Sequence, residues 1–187
     1  MEVCYNYIKK DMELITYERY SKKVEKLKDR YWLKSKDVRW NYMLPVLRII
    51  KEINPETAIE LGTHKVSLMN FSDTIALEIE TVDPDNIKNN NFIFDASKTP
   101  WPIEDKKYDL FVALQVLEHL GPNQEKVFSE IKRISKNVII SLPYKWNCPD
   151  DKEHHMIDDI VINKWTKNEK LNYSEVKSGR IILNYKF

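Results

Sequence analysis

Apolar and polar positions alternate along this chain in two rhythms. From Tyr17 the residues Tyr20, Val24, Leu27, Tyr31 and Trp32 recur at the spacing of a helix with one buried face. A second helical run, NYMLPVLRIIKEI, follows, with Pro45 expected near its first turn, where a missing amide hydrogen costs least. NPE then breaks the pattern. Beyond it the rhythm shortens. TAIEL, TIALEIETVD, NFIFD, YDLFVAL and NVIISLP read as strands, the last two so continuously apolar that both of their faces must be covered. NQEKVFSEIKRIS returns to the helical period, with Val127, Phe128, Ile131 and Ile134 on one face. IDDIVINKWTK reads as a short helix. NYSEVKSG and RIILNYKF read as a closing hairpin, with Gly179 at the turn.

Strands alternating with helices predict an α/β fold. The sheet is expected to be doubly wound and mostly parallel, with an antiparallel C-terminal strand and N-terminal helices. The length of 187 residues suits one domain, expected as a helical cap over 1–54 and a core over 55–187.

Composition narrows the partners. Hydrophobic residues make up 42% and charged residues 32%, the balance of a folded globular chain. The net charge of +1 argues neither for nor against a polyanionic partner. Residues 9–36 are locally basic and rich in tyrosine, with ten Lys/Arg against five Asp/Glu. That face fits RNA or a phosphate-bearing acceptor, and equally an ordinary solvated helix. Cys4 and Cys148 form no CxxC pair, so neither a disulfide framework nor a zinc site is expected, and the expected compartment is a reducing cytoplasm. The N-terminal MEVCYNYIKKDMEL lacks a signal-peptide core, and no apolar run approaches the roughly 20 residues that cross a bilayer, so no membrane partner is expected.

In an open parallel sheet, ligands bind at the carboxyl ends of the strands. The candidates are therefore positional. Glu60 and Gly62 end the first strand. Asp83 lies 21 residues after Gly62, where an acid grips ribose hydroxyls, and Glu80 competes for that role. Asp95, with Ala96 beside it, follows NFIF, and Gln115, Glu118 and His119 follow FVAL. Tyr144 and Trp146 follow ISLP, with His154 and His155 in the next loop. Each residue alone has a plain structural reading: a turn glycine, a solvated acid, a loop histidine, a core aromatic. Trp101 in TPWPI is open in the same way, as a pocket wall or as core.

Taken together, DASKTPWPIEDKKYDLFVALQVLEHL forms an ordered constellation that resembles the class I, Rossmann-like S-adenosylmethionine-dependent methyltransferases. The resemblance runs from about Thr57 to Tyr144 and more loosely to the C-terminal hairpin. It implies a seven-stranded sheet, with the penultimate strand at the edge and the last one antiparallel beside the fifth. It also implies S-adenosylmethionine as cofactor, with Glu60, Gly62, Asp83, Asp95, Ala96 and Gln115 around it. The family's acid-x-Gly-x-Gly-x-Gly turn is depleted here. Glu60, Leu61, Gly62, Thr63, His64, Lys65 and Val66 keep one glycine of three, and the helix after that turn is short. Such glycines serve most where backbone meets pyrophosphate, and this cofactor has none, so their loss counts against a dehydrogenase more than against this family.

The implied reaction is methyl transfer to an oxygen or nitrogen nucleophile of a small-molecule acceptor, with His119 as the candidate base. Two alternatives stand beside it. One is a non-catalytic scaffold or partner subunit that kept the fold. The other is a metal-assisted RNA 2′-O-methyltransferase, since the small-RNA enzymes of that kind bind a divalent ion through Glu-x-x-Glu-His and a later His. Here Gln115 replaces the first acid, a poor partner for a hard cation, and no metal site is expected.

Overall fold

In the computed structural model, residues 12–187 are described; Cys4 and the first eleven residues of the expected cap lie outside them. Seven strands, β1 (Ala58–Leu61), β2 (Asp73–Ala76), β3 (Asn91–Ile93), β4 (Tyr108–Leu114), β5 (Ser135–Pro143), β6 (Leu171–Lys177) and β7 (Arg180–Lys186), form one sheet in the order β3-β2-β1-β4-β5-β7-β6. The first five strands pair in parallel, and β7 runs antiparallel to both β5 and β6. The closing hairpin turns on Ser178 and Gly179, both at positive φ, which matches the right-handed twist of paired strands.

The helices are α1 (Tyr17–Leu27), α2 (Arg30–Ile53), α3 (Gln124–Ile134) and α4 (Asp159–Trp165). Thr16 caps α1, Asp29 caps α2 and Asp158 caps α4, each accepting from amides of the first turn. None of the helices among the described residues is long and apolar enough to cross a membrane.

Alternation along each strand divides the core into two layers. Ile59 and Leu61 of β1, Phe111 and Ala113 of β4, and Val138 and Ile140 of β5 point to one face, where they pack with Val127, Phe128 and Ile131 of α3 and Ile162 of α4. Ala58, Leu110, Val112, Ile139 and Ile182 point to the other, against Tyr20 and Val24 of α1 and Val46, Ile49 and Ile50 of α2. The second layer has a reason in the chain's own connections. Between β1 and β2, where a crossover helix would cover that face, the backbone makes only turns. The N-terminal helices occupy the bare face instead, and Val66, Leu68 and Met69 of the β1–β2 loop join their cluster.

Two expectations are corrected. Pro45 lies deep inside α2 because that helix begins at Arg30; the carbonyl it leaves without an intrahelical donor belongs to Asn41, an exposed residue. The strand expected through TIALEIETVD ends at Ala76; Leu77 and Ile79 are exposed, and the chain folds into 3₁₀ turns at Ile79–Thr81 and Pro84–Asn86. The crossovers from β2 to β3 and from β3 to β4 also lack an α-helix, while α3 and α4 on one face and α1 and α2 on the other complete the expected doubly wound fold.

Candidate functional site

The carboxyl ends of β1 to β5 open onto two hollows that share walls. The first, about 490 Å³, lies under α2 and is lined by Tyr31, Trp32, Arg39, Tyr42, Gly62, Gln115, His119, Trp146, His154 and Arg180, among others. The second, about 560 Å³, lies at the ends of β2 and β3 and is walled by Leu77, Phe94, Asp95, Ala96, Ser97, Val116 and Leu120. Leu61, Gly62, His64 and His119 line both. Such paired concavities, mostly apolar with a few converging polar groups, are what a two-substrate site requires.

Gly62 sits at φ +69, and its amide extends the β1–β2 ladder to the Ile75 carbonyl at 3.1 Å. A Cβ placed on it would stand 2.9 Å from Val116 Cγ2. The two glycines lost from this turn stand at His64 and Val66. His64 adopts φ +45 all the same, and its ring stacks on Trp32 of α2 at 5.3 Å between centroids. The turn thus keeps a glycine-like backbone and is held by aromatic contact with the N-terminal layer.

Glu60 lines the first hollow, but its carboxylate is engaged by the turn itself. It accepts from the Leu68 amide at 2.9 Å, the Met69 amide at 3.2 Å and the Ser72 hydroxyl at 2.5 Å. Burial pushes its pKa up to about 7 against the pull of those donors. Glu60 therefore shapes the β1–β2 loop, and its oxygens are not turned to a ligand.

Asp83 is not at either hollow, which corrects the expected ribose contact. Its carboxylate is buried; it accepts from the Ser67 amide at 2.8 Å and pairs with Lys23 of α1. The early end of β2 is the cause: the Ile79–Thr81 turn carries Asp83 back under α1, where it caps the Pro84–Asn86 turn, leaving Glu78, exposed two residues beyond Ala76, as the first acid past the strand. Glu80, the other candidate, is exposed on the first of those turns.

Asp95 and Ala96 do wall the second hollow. Asp95 Oδ1 accepts from the Ser97 amide and hydroxyl, which holds the carboxyl below its ordinary range. Trp101 is core: it is 3% exposed, stacks on Phe111 and donates to the Ala96 carbonyl at 3.0 Å, which fixes the turn after β3.

Gln115 follows β4 at φ +57, a strained value for a residue with a side chain, and its amide and Nε2 bond the Ser141 carbonyl and hydroxyl of β5. Just beyond it, His119 Nδ1 lies 2.7 Å from Glu153 and His154 Nδ1 lies 2.7 Å from Asp151, while the two rings meet edge to face at 4.8 Å. Glu118 is buried beside them with neither carboxylate oxygen hydrogen-bonded among the described residues, and burial raises its pKa to about 8. One ligand atom from each of Glu118, His119 and His154 falls within 4.8 Å of the others. His155, by contrast, accepts from the Cys148 amide and anchors the loop.

Sequence reasoning missed Arg39 and Arg180. The second was within reach: an antiparallel β7 begins where its parallel neighbours end, and Arg180 pairs with Pro143, the last residue of β5. Arg39 could be found only by docking α2 on the sheet.

Comparison with known proteins agrees with this geometry. The family model described as "Methyltransferase domain" matches residues 61–138. No curated protein matches the sequence. Among solved structures, an S-adenosylmethionine-dependent methyltransferase from Aquifex aeolicus is 16% identical, with a TM-score of 0.56 over 88% of this chain and 96% of its own. The PH0226 protein from Pyrococcus horikoshii OT3 is 12% identical, with a TM-score of 0.61 over 86% and 92%. The methyltransferase domain of bacterial CtHen1-CN is 14% identical, with a TM-score of 0.56 over 80% and 100%. Residues 61–138 thus match a methyltransferase domain, and the chain has the fold of the solved methyltransferases above, in a form with a depleted glycine turn.

Proposed function

We propose that the hollow at β2 and β3 receives the adenosyl part of the cofactor and that the hollow under α2 receives a small-molecule acceptor. The observation that carries this reading is the shared wall at Gly62, His64 and His119, which puts the two ligands end to end. The residues fit the cofactor. Phe94, Val116 and Leu120 offer apolar surface for a purine, Asp95 at the rim can accept from its amine, and Glu78, the first acid past β2, is the candidate for the ribose hydroxyls. Gly62, with no side chain, leaves the passage between the hollows open.

When bound, the cofactor would supply an activated methyl group for the acceptor's lone pair, leaving as the thioether, and the acceptor would give up a proton. The chain's part is to align and to take that proton. His119 and His154 each hold a carboxylate at Nδ1, which leaves Nε2 as the free nitrogen, and His119 is the better placed base because it borders both hollows. Native mass spectrometry tests the reading: the protein should retain one S-adenosylhomocysteine, and a spectrum of bare protein after incubation would count against it.

A second reading, metal-assisted methylation of an RNA 2′-hydroxyl, draws on the Glu118–His119–His154 cluster and on the likeness to the CtHen1-CN domain. The orphaned Glu118 oxygens suit a cation, and Glu153 and Asp151 orient the two imidazoles as carboxylates behind metal-bound histidines do. Gln115 stands where a further acid would complete the set. Manganese-dependent methylation of a short RNA, abolished by a chelator, would favour this reading, and no dependence on chelator would remove it.

A further inference from the structure

The hollow under α2 holds two guanidinium groups that no carboxylate among the described residues neutralises. Arg180 is 8% exposed; its Nη1 donates to the Ser178 carbonyl at 2.8 Å, and its Nε has no partner among the described residues. Its guanidinium lies over the rings of Trp146 and Tyr42, 4.8 and 5.2 Å from their centroids. Arg39 faces the same space from α2, its guanidinium 4.0 Å from the Trp32 centroid and its Nε bonded to the Ser35 hydroxyl. Burial lowers the pKa of Arg180, and the charge of Arg39 adds to that in smaller measure.

Among the described residues, no nearby acid pairs with them. Asp151 is bonded to His154, and Glu118, whose charge Arg180 feels, is not within ion-pair distance of it among the described residues. A buried cation left this way costs stability unless something else meets it. Aromatic faces offset part of that cost. An oxyanion would offset more, because the planar fork of a guanidinium binds carboxylate or phosphate through two parallel hydrogen bonds.

Two ligands could bring that anion: the acceptor, or the cofactor through its own carboxylate. Strand order separates them. Gly62 follows β1, whereas Arg180 opens β7, three strand spacings away through β4 and β5. That is about 14 Å along the sheet edge. On the placement proposed above, the cofactor would meet this hollow at the shared wall by Gly62, so Arg180 faces the far end.

We propose that Arg180, with Arg39 opposite it, binds a carboxylate or phosphate group of the methyl acceptor, so that the substrate is an anionic small molecule. The inference rests on the cofactor and acceptor placement above, and the test separates the two. The protein is titrated with S-adenosylhomocysteine, and then, saturated with it, with benzoate, phenyl phosphate and the neutral analogue benzamide. Benzoate or phenyl phosphate should bind and benzamide should not, and the better of the two anions tells carboxylate from phosphate. Arg180→Met and, independently, Arg39→Met should weaken the preferred anion by about tenfold or more, the worth of a charged hydrogen bond. Arg180→Met should leave S-adenosylhomocysteine affinity within about twofold, since one lost charged contact would cost several times that. Anion binding that is absent, or indifferent to both substitutions, would overturn the proposal. A loss of S-adenosylhomocysteine affinity in Arg180→Met, with 5′-methylthioadenosine binding unchanged, would also overturn it by assigning the anion to the cofactor. Arginine-dependent anion binding without any S-adenosylhomocysteine binding would uphold the anion site and sink the cofactor placement instead.

Discussion

Replacing Gly62 with alanine tests whether the one retained glycine of the first turn is required. At φ +69 an alanine is held in the left-handed region, at a cost of about 1–2 kcal/mol. Its methyl would also stand 2.9 Å from Val116 Cγ2, and overpacking of that kind costs about 1–3 kcal/mol. Val116 is only half-buried and can yield, so the lower part of that range applies, and the sum is about 2–4 kcal/mol. For a chain of this size each kcal/mol moves the melting temperature by about 2–4 °C, giving a fall of about 5–15 °C. Thermal melts followed by circular dichroism would read it. Val116→Ala in the same chain should restore the packing part and leave the backbone part, so the double variant should lie about 1–2 kcal/mol below Val116→Ala alone. A Gly62→Ala protein that melts with the wild type would refute both the left-handed turn and the close approach.

Other substitutions separate stability from ligand binding. Asp83→Ala should cost about 3 kcal/mol in urea unfolding, because it strands Lys23 and the Ser67 amide. S-adenosylhomocysteine affinity should stay unchanged, and a large loss would return Asp83 to the cofactor site. Asp95→Ala and Glu78→Ala should each weaken S-adenosylhomocysteine by about 1–3 kcal/mol in calorimetry, with little change in melting temperature. Glu118→Gln probes the buried carboxyl. Its pKa rises from an ordinary 4.5 to about 8 on folding, so the folded state binds the extra proton and wild-type stability falls as pH climbs through that interval. The variant should therefore be the more stable at pH 9, with the gap narrowing toward pH 5; a gap that does not vary with pH would show that Glu118 does not titrate there.

What the sequence revealed follows from how local each feature is. YDLFVAL and the terminal hairpin could be read directly, since a continuous apolar run and a positive-φ turn are properties of a few adjacent residues. The sheet order followed from family resemblance. Asp83 was misplaced because the alternation in TIALEIETVD imitates a strand, while only its first residues find a partner in β1. His154 and His155 are indistinguishable as neighbours in sequence; the loop's path sends one to the hollow and the other to the Cys148 amide. Arg39 and Arg180 converge only when α2 covers the face left bare by the missing crossover helix, a tertiary fact with no local signature. The hollow itself survives the loss of the glycines, because His64 takes a glycine-like backbone angle and leans on Trp32.

The central claim is that this glycine-poor edge still holds the cofactor. Isothermal titration of the purified protein with S-adenosylhomocysteine addresses it most directly. One equivalent should bind at micromolar affinity, weakened by Asp95→Ala and untouched by Asp83→Ala; absence of heat at millimolar ligand would contradict the account.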